Sequence, residues 1–154
     1  MGPGGGKKGR CWGYDAGKKI TGRKRHLLVD TLGLILAGVI TAASVQDRDG
    51  GRMVLAEVPE SRYPELLTVF ADAGYQGRLE DIALQEHELE LVIVPKLEGQ
   101  STFVVLPKRW VVERTFAWLL RYRRLRADYE TEPTSSRGWI LVAAIHRMAR
   151  RLAR

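Results

Sequence analysis

The chain has 154 residues, of which 45% are hydrophobic and 28% charged, with a formal net charge of +7. That is enough for one domain with a core of its own, and it excludes a disordered or fibrous composition. One cysteine, Cys11, excludes an internal disulfide and a cysteine-rich zinc site, which makes a reducing cytoplasm the expected compartment.

The positive charge is unevenly spread. Residues 1–26 carry Lys7, Lys8, Arg10, Lys18, Lys19, Arg23, Lys24 and Arg25 against Asp15 alone. Residues 108–126 carry Lys108 and six arginines against Glu113, whereas residues 47–98 are acidic on balance. Two separated basic segments around an acidic middle suggest a phosphate backbone as partner. His26, His87 and His146 show no metal-ligand spacing. The longest apolar run, residues 32–45, is too short to span a bilayer and contains Gly33, Gly38 and Thr41.

In chain order, residues 1–13 are mostly glycine and lysine and form a flexible lead with no apolar pattern to bury. Residues 14–26, basic and broken by Gly17 and Gly22, read as a loop or frayed strand. Residues 26–43 hold two apolar runs around Asp-Thr-Leu-Gly, an antiparallel hairpin signature. Its second arm is apolar almost throughout, as in a strand covered on both faces. Residues 45–52 read as a polar turn, and a short helix over 52–58 ends before Pro59. A strand over 66–71 delivers Asp72 at its carboxyl end, a tight turn follows over 73–77, and a helix is expected over 78–88. Residues 89–95 form another strand and 96–106 a connecting loop. Helical periodicity over 107–126 places Val111, Val112, Thr115, Phe116, Trp118, Leu119, Tyr122 and Leu125 on one arc. Glu113 sits centrally on the opposite arc, among Arg109, Arg114, Arg121 and Arg124. A linker at 131–134 precedes a last helix expected from Ser135, its N-cap, to Leu152.

Asp72 at a strand end and Glu113 on a packed helix are the chemically informative acids. Carboxylates facing each other across a strand and a helix suit Mg²⁺, a hard ion that prefers oxygen ligands. Two such ions stabilise both the attacking and the leaving oxygen of a displacement at phosphorus. The bland alternatives are a turn-capping aspartate and an Arg109–Glu113 pair on a solvated face.

Three stretches bear on that choice: GYDAGKKITGRKRHLLVDTLG, FADAGYQG and RWVVERTFAWLLRYRRL. Together they resemble, in order, the catalytic domain of bacterial insertion-sequence transposases of the DDE class. The resemblance runs from about Gly13 to the carboxyl end, making residues 14–154 a partial catalytic domain, and implies an α/β, ribonuclease-H-like mixed sheet flanked by helices. It implies two Mg²⁺ (or Mn²⁺) held by an Asp, Asp, Glu triad, with Asp72 the second carboxylate and Glu113 the third. Arg109 matches the arginine of the signature around the glutamate, while Leu106 and Leu120 stand where a tyrosine and a lysine are common. The first aspartate is expected on a strand ahead of the GYDAGKK segment, and this sequence offers none there. Asp30, Asp47, Asp49 and Asp15 are the candidate replacements: Asp30, Asp47 and Asp49 read as turn residues, and Asp15 has no strand to fix it.

The expectation is therefore the carboxyl-terminal portion of a DDE transposase, lacking its first strand and inactive alone. DNA would be its partner, gripped by Lys18, Lys19, Arg23, Lys24, Arg25, Arg121 and Arg124. Its protein partner would be a second copy or an upstream transposase half. The alternative is a non-catalytic DNA-binding remnant that inhibits intact transposase; an RNA-binding protein is suggested only by size and basicity.

Overall fold

The computed structural model describes residues 11–58, 60–95 and 107–153. The connecting loop expected at 96–106 lies outside the described residues. The chain folds as a mixed α/β structure. Three antiparallel strands come first: β1 (Gly13–Asp15), β2 (Ile20–Val29) and β3 (Ile35–Ala42), in the order β1-β2-β3. Then follow α1 (Asp47–Ala56), β4 (Thr68–Asp72), α2 (Arg78–His87) and β5 (Glu90–Val94), with β4 and β5 parallel. Two helices close the chain, α3 (Pro107–Leu119) and α4 (Pro133–Leu152).

The hairpin lies where the sequence places it, but its first arm is longer. The basic stretch expected as a loop is strand, with Tyr14 opposite Thr21 and Lys24 opposite Thr41. Asp30 closes the β2–β3 turn by accepting from the backbone N–H groups of Leu32 and Leu34 at 2.9 and 2.7 Å. Gly33 follows at φ +82°, a conformation glycine adopts without penalty. A side chain there would also meet Thr115 Oγ1 at 2.7 Å. Thr115, buried, sets its hydroxyl 3.0 Å from the carbonyl oxygens of Gly33 and Val111, fastening α3 to the hairpin tip.

The β2–β3 layer is covered on both faces, as the apolar second arm requires. Leu28, Ala37 and Val39 pack toward Val54 of α1 and Val58 beyond it. Leu27, Ile35 and Ile40 pack on the other side, against Leu119, Leu125, Ile140 and Ala143 of the α3–α4 layer. Strict alternation would send Ile35 with Ala37; the register shift at Leu28/Val29 turns it to the opposite face. A third cluster joins Leu55, Val69, Leu79, Ala83 and Leu89, welding α1 to the β4–α2–β5 unit.

Three helix boundaries differ from the sequence reading. Helix α1 begins at Asp47, several residues early, with Asp47 and Asp49 in its first turn where the helix dipole favours anions. Helix α3 stops at Leu119, and residues 123–125 form a separate short turn. Helix α4 starts at Pro133, a residue suited to a first helical position, with Glu132 rather than Ser135 as N-cap. No helix among the described residues is long and apolar enough to cross a membrane.

Two helical glycines give opposite forecasts. A Cβ on Gly50 would collide with the buried His26 ring, whereas one on Gly138 meets nothing within 4 Å. Alanine favours a helix interior by about 1 kcal/mol over glycine, but overpacking costs about 1–3 kcal/mol. Gly138→Ala is therefore expected to raise the urea-unfolding midpoint and Gly50→Ala to lower it.

Candidate functional site

A cavity of about 220 Å³ lies between β2 and β4, where no backbone pairing joins the two sheets among the described residues. Its walls include Arg25 and Leu27 of β2, Val54 of α1, Val69 and Asp72 of β4, and Phe116 of α3. Asp72 and Glu113 both line it, so the strand-end aspartate and the helix-borne glutamate come to one place. The chain makes this happen through ordinary packing. Strand β4 runs parallel to β5 with Asp72 opposite Val94, at the carboxyl end where open α/β sheets carry their sites. Helix α3, pinned by Thr115, turns Val112, Glu113 and Phe116 toward the same space.

Asp72 is also a cap: Oδ1 accepts from the N–H of Gly74 at 3.0 Å. Both Asp72 and Glu113 are exposed. Glu113 makes no ion pair with a described residue. Arg109 falls on α3 four residues before Glu113, and its side chain lies outside the described residues. Exposed carboxylate oxygens are the donor type a hard divalent cation takes, and a cation needs only one or two carboxylates when phosphate oxygens and water complete its shell. Among the described residues no group of three acidic, histidine or cysteine side chains is arranged to hold a metal. The pair thus fits part of such a site.

Asp47, read from sequence as a turn residue, is close by. Asp47 Oδ2 and Asp72 Oδ1 lie 3.2 and 3.1 Å from the point a Gly74 side chain would occupy, so the two carboxylates flank that glycine. Asp47 is held by Lys24, whose ammonium lies 3.0 Å from it and 3.3 Å from Asp15. Burial alone would lower the Lys24 pKa, but the two carboxylates outweigh it and hold the ammonium above its ordinary value. The N–H of Lys18, ahead of Lys24, holds Asp15 below the ordinary carboxylate value.

The cations expected to grip DNA divide sharply. Arg23 is almost wholly out of water and forks onto Asp128, Nε at 2.5 Å and Nη2 at 2.7 Å, while also donating to the Glu130 carbonyl. Arg25 donates to the Leu125 carbonyl at 2.8 Å, and burial lowers its pKa. Arg124 pairs with Glu130 at 2.7 Å and packs over Trp139. Lys18, Lys19 and Arg121 are exposed. The long-range partners Asp128 and Glu130 give no signal in the local sequence around the hairpin.

Comparison with known proteins now applies. A family model described as "Transposase DDE domain" matches residues 2–148. The chain belongs to the DDE transposase-domain family. It is 34% identical over 115 residues to a protein of Burkholderia cepacia named as a transposase for insertion sequence element IS402, a match covering 71% of this chain. The chain spans about half the length of that relative, 54%. No solved structure matches. The DDE family generally works with a divalent metal, which the exposed oxygen donors of Asp72 and Glu113 suit.

Beside the cavity, His26 is buried between α1 and the sheet, with Nδ1 3.2 Å from Tyr75 Oη and Nε2 3.0 Å from Thr41 Oγ1. Burial, aided by the charges of Asp47 and Asp72, pushes the Tyr75 hydroxyl up to about 12, so it stays protonated and able to donate. Burial lowers the His26 pKa below its ordinary 6.5. As pH falls through 6.5 the unfolded chain takes a proton that folded His26 resists, so stability drops, by up to about 1.4 kcal/mol per pH unit. Above that value the contribution is flat. Urea midpoints at pH 7.5 and 5.5 are expected to differ less in His26→Gln than in the parent.

Proposed function

We propose that this chain is the carboxyl-terminal part of a ribonuclease-H-like catalytic domain that cuts and joins DNA strands during transposition. The observation that carries the reading is the meeting of Asp72 and Glu113 at one cavity, within a chain of the DDE family. Asp72 and Glu113 are the residues that would hold Mg²⁺ or Mn²⁺. A bound ion of this kind activates water or a 3′ hydroxyl for attack at phosphorus and steadies the leaving oxygen. The chain's own residues position these groups. The Gly74 N–H fixes the Asp72 carboxylate, α3 presents Glu113 from a helix locked to the hairpin, and Arg109, one turn earlier, orients Glu113 or a phosphate.

Among the described residues Asp72 and Glu113 are the only acids lining the cavity, two where the triad has three, which is the ground for expecting no transposition by this chain alone. The space between β2 and β4 is bordered by strand on both sides and suits one more extended segment. Gly22 accepts from Ala43 N at 2.9 Å, so alternation turns the backbone groups of Arg25 and Leu27 away from β3 and toward that space. A segment from an upstream transposase half, or from a second copy, would fill it and bring the further carboxylate.

Strand cleavage on element-end DNA tests this. The chain alone is expected to bind duplex DNA without cutting it in Mg²⁺ or Mn²⁺. Addition of a polypeptide covering the remaining length of the IS402 relative is expected to restore cutting, and Asp72→Asn or Glu113→Gln to reduce it by about 10²–10³-fold or more. Efficient cutting by the chain alone would overturn the incomplete-site reading. Complemented cutting indifferent to both substitutions would leave the second reading, a non-catalytic DNA-binding inhibitor of intact transposase, which the internal consumption of Lys24 and Arg23 by acids does not favour.

A further inference from the structure

Five cations of the described chain have an acid beside them. Arg23 pairs with Asp128, Lys24 with Asp15 and Asp47, Arg52 with Glu86, Arg124 with Glu130 and Arg137 with Glu57. Among the cations without such a pair, four arginines are near one another. Arg114 of α3 and Arg147 of α4 both pack on the ring of Trp118, their guanidinium carbons 4.9 and 3.4 Å from its centroid. Arg121 and Arg151 are exposed, and together with Arg114 they press on Arg147 by like-charge repulsion. None of the four forms an ion pair among the described residues.

Holding like charges together without a counter-ion costs free energy that the rest of the fold must offset. Burial and then these neighbouring arginines lower the pKa of Arg147, the direction that strain requires. The Nε atoms of Arg114 and Arg147 are buried with no hydrogen-bond partner among the described residues, so donor capacity is left unused. Trp118 itself is held by Gly33, a Cβ on which would lie 3.0 Å from its ring. An aromatic face anchored in this way pre-orients both guanidiniums, reducing the entropy they lose on meeting an anion. On α4, Arg147 and Arg151 stand one turn apart, about 6 Å along the axis.

We infer that Arg114, Arg121, Arg147 and Arg151, arranged about Trp118, form the surface on which the phosphodiester backbone of duplex DNA is seated. This rests on the DNA-joining reading above and relocates the grip from the basic hairpin to the α3–α4 face. Arg114 immediately follows Glu113 on α3, so a backbone lying on this face passes beside the candidate site. Both guanidiniums next to Trp118 lie against its ring, which makes the surface one that reads charge and shape without reading bases.

Fluorescence anisotropy of a labelled random-sequence duplex, titrated from 50 to 300 mM KCl, tests the assignment. The slope of log K against log salt reports the number of phosphates neutralised. Arg121→Gln, Arg147→Gln and Arg151→Gln are each expected to weaken binding for every sequence and to reduce the slope by about 1. Arg121→Lys and Arg151→Lys, which keep the charge, are expected to bind as the parent does. Arg52→Gln, on a cation already paired with Glu86, is expected to leave affinity and slope unchanged. Thermal unfolding of Arg121→Gln and Arg151→Gln without DNA is expected at or above the parent midpoint, because a repulsion is removed and no packing is lost. Salt-dependent binding by the parent that all three Gln variants retain in full would overturn this surface while leaving the transposition reading intact. Absence of salt-dependent duplex binding by the parent would overturn both.

Discussion

The fold depends on a charge taken out of water. The Arg23 guanidinium, on the middle strand of the antiparallel sheet, is engaged through all three of its nitrogens by Asp128 and by the carbonyls of Glu130 and Thr131. A two-point fork onto one carboxylate fixes direction as well as distance, which a lysine could not do. Arg25, two residues on, points to the same side and donates to the Leu125 carbonyl. These two side chains tie β2 to the whole connection between α3 and α4, about a hundred residues away. Breaking the pair by removing one partner would strand a buried charge, a loss of about 3–5 kcal/mol. The position of α3 over the sheet, and hence of Glu113, follows from that tie together with Thr115 at the hairpin tip.

That tie also decides the electrostatics. A strand written Thr-Gly-Arg-Lys-Arg looks like a surface for polyanions, yet its alternation sends Arg23 and Arg25 inward to one layer and Lys24 to the other, where Asp15 and Asp47 receive it. The hairpin is thereby close to neutral where it packs. What remains of the net charge is carried elsewhere, so charge density along the sequence and charge density on the surface are different quantities here. The difference is set by acids such as Asp128 that are distant in sequence and near in space.

The legible parts of the chain were those with a local cause. The hairpin followed from two apolar runs about a turn, the β4–α2–β5 unit from a buried run, a turn and a helical stretch, and Glu113's helix from its periodicity. The misplaced boundaries have tertiary causes. Gly50 and Gly51 look like a turn, but they sit inside α1 because the His26 ring and the side chains of Tyr75 and Leu79 approach the helix too closely for any larger residue. Pro133 looks like a linker residue and instead opens α4, since a first-turn N–H has no helical partner to lose. On α4, Ile140 and Ala143 are buried while Val142 and Leu152 are exposed, because α4 meets only one layer. At the candidate site, Asp72 and Glu113 could be singled out from sequence. Asp47, across Gly74 from Asp72, could not, because nothing in its local sequence signals the Lys24 contact.

The cavity between the two sheets has a consequence for stability as well as chemistry. It is walled by apolar groups from α1, β4 and α3 yet bordered by the edge of β2, whose backbone groups at Arg25 and Leu27 face it rather than β3. Backbone amides prefer a partner, and apolar walls prefer to be dry; a bare strand edge satisfies neither demand at once. An extended segment laid there would answer both, because its own amides pair along the edge while its alternate side chains meet the helices on either face. The same placement would bring that segment's end beside Asp72, at the carboxyl end of β4. On the proposed reading, a single strand in that space would both complete the acidic site and join the two sheets.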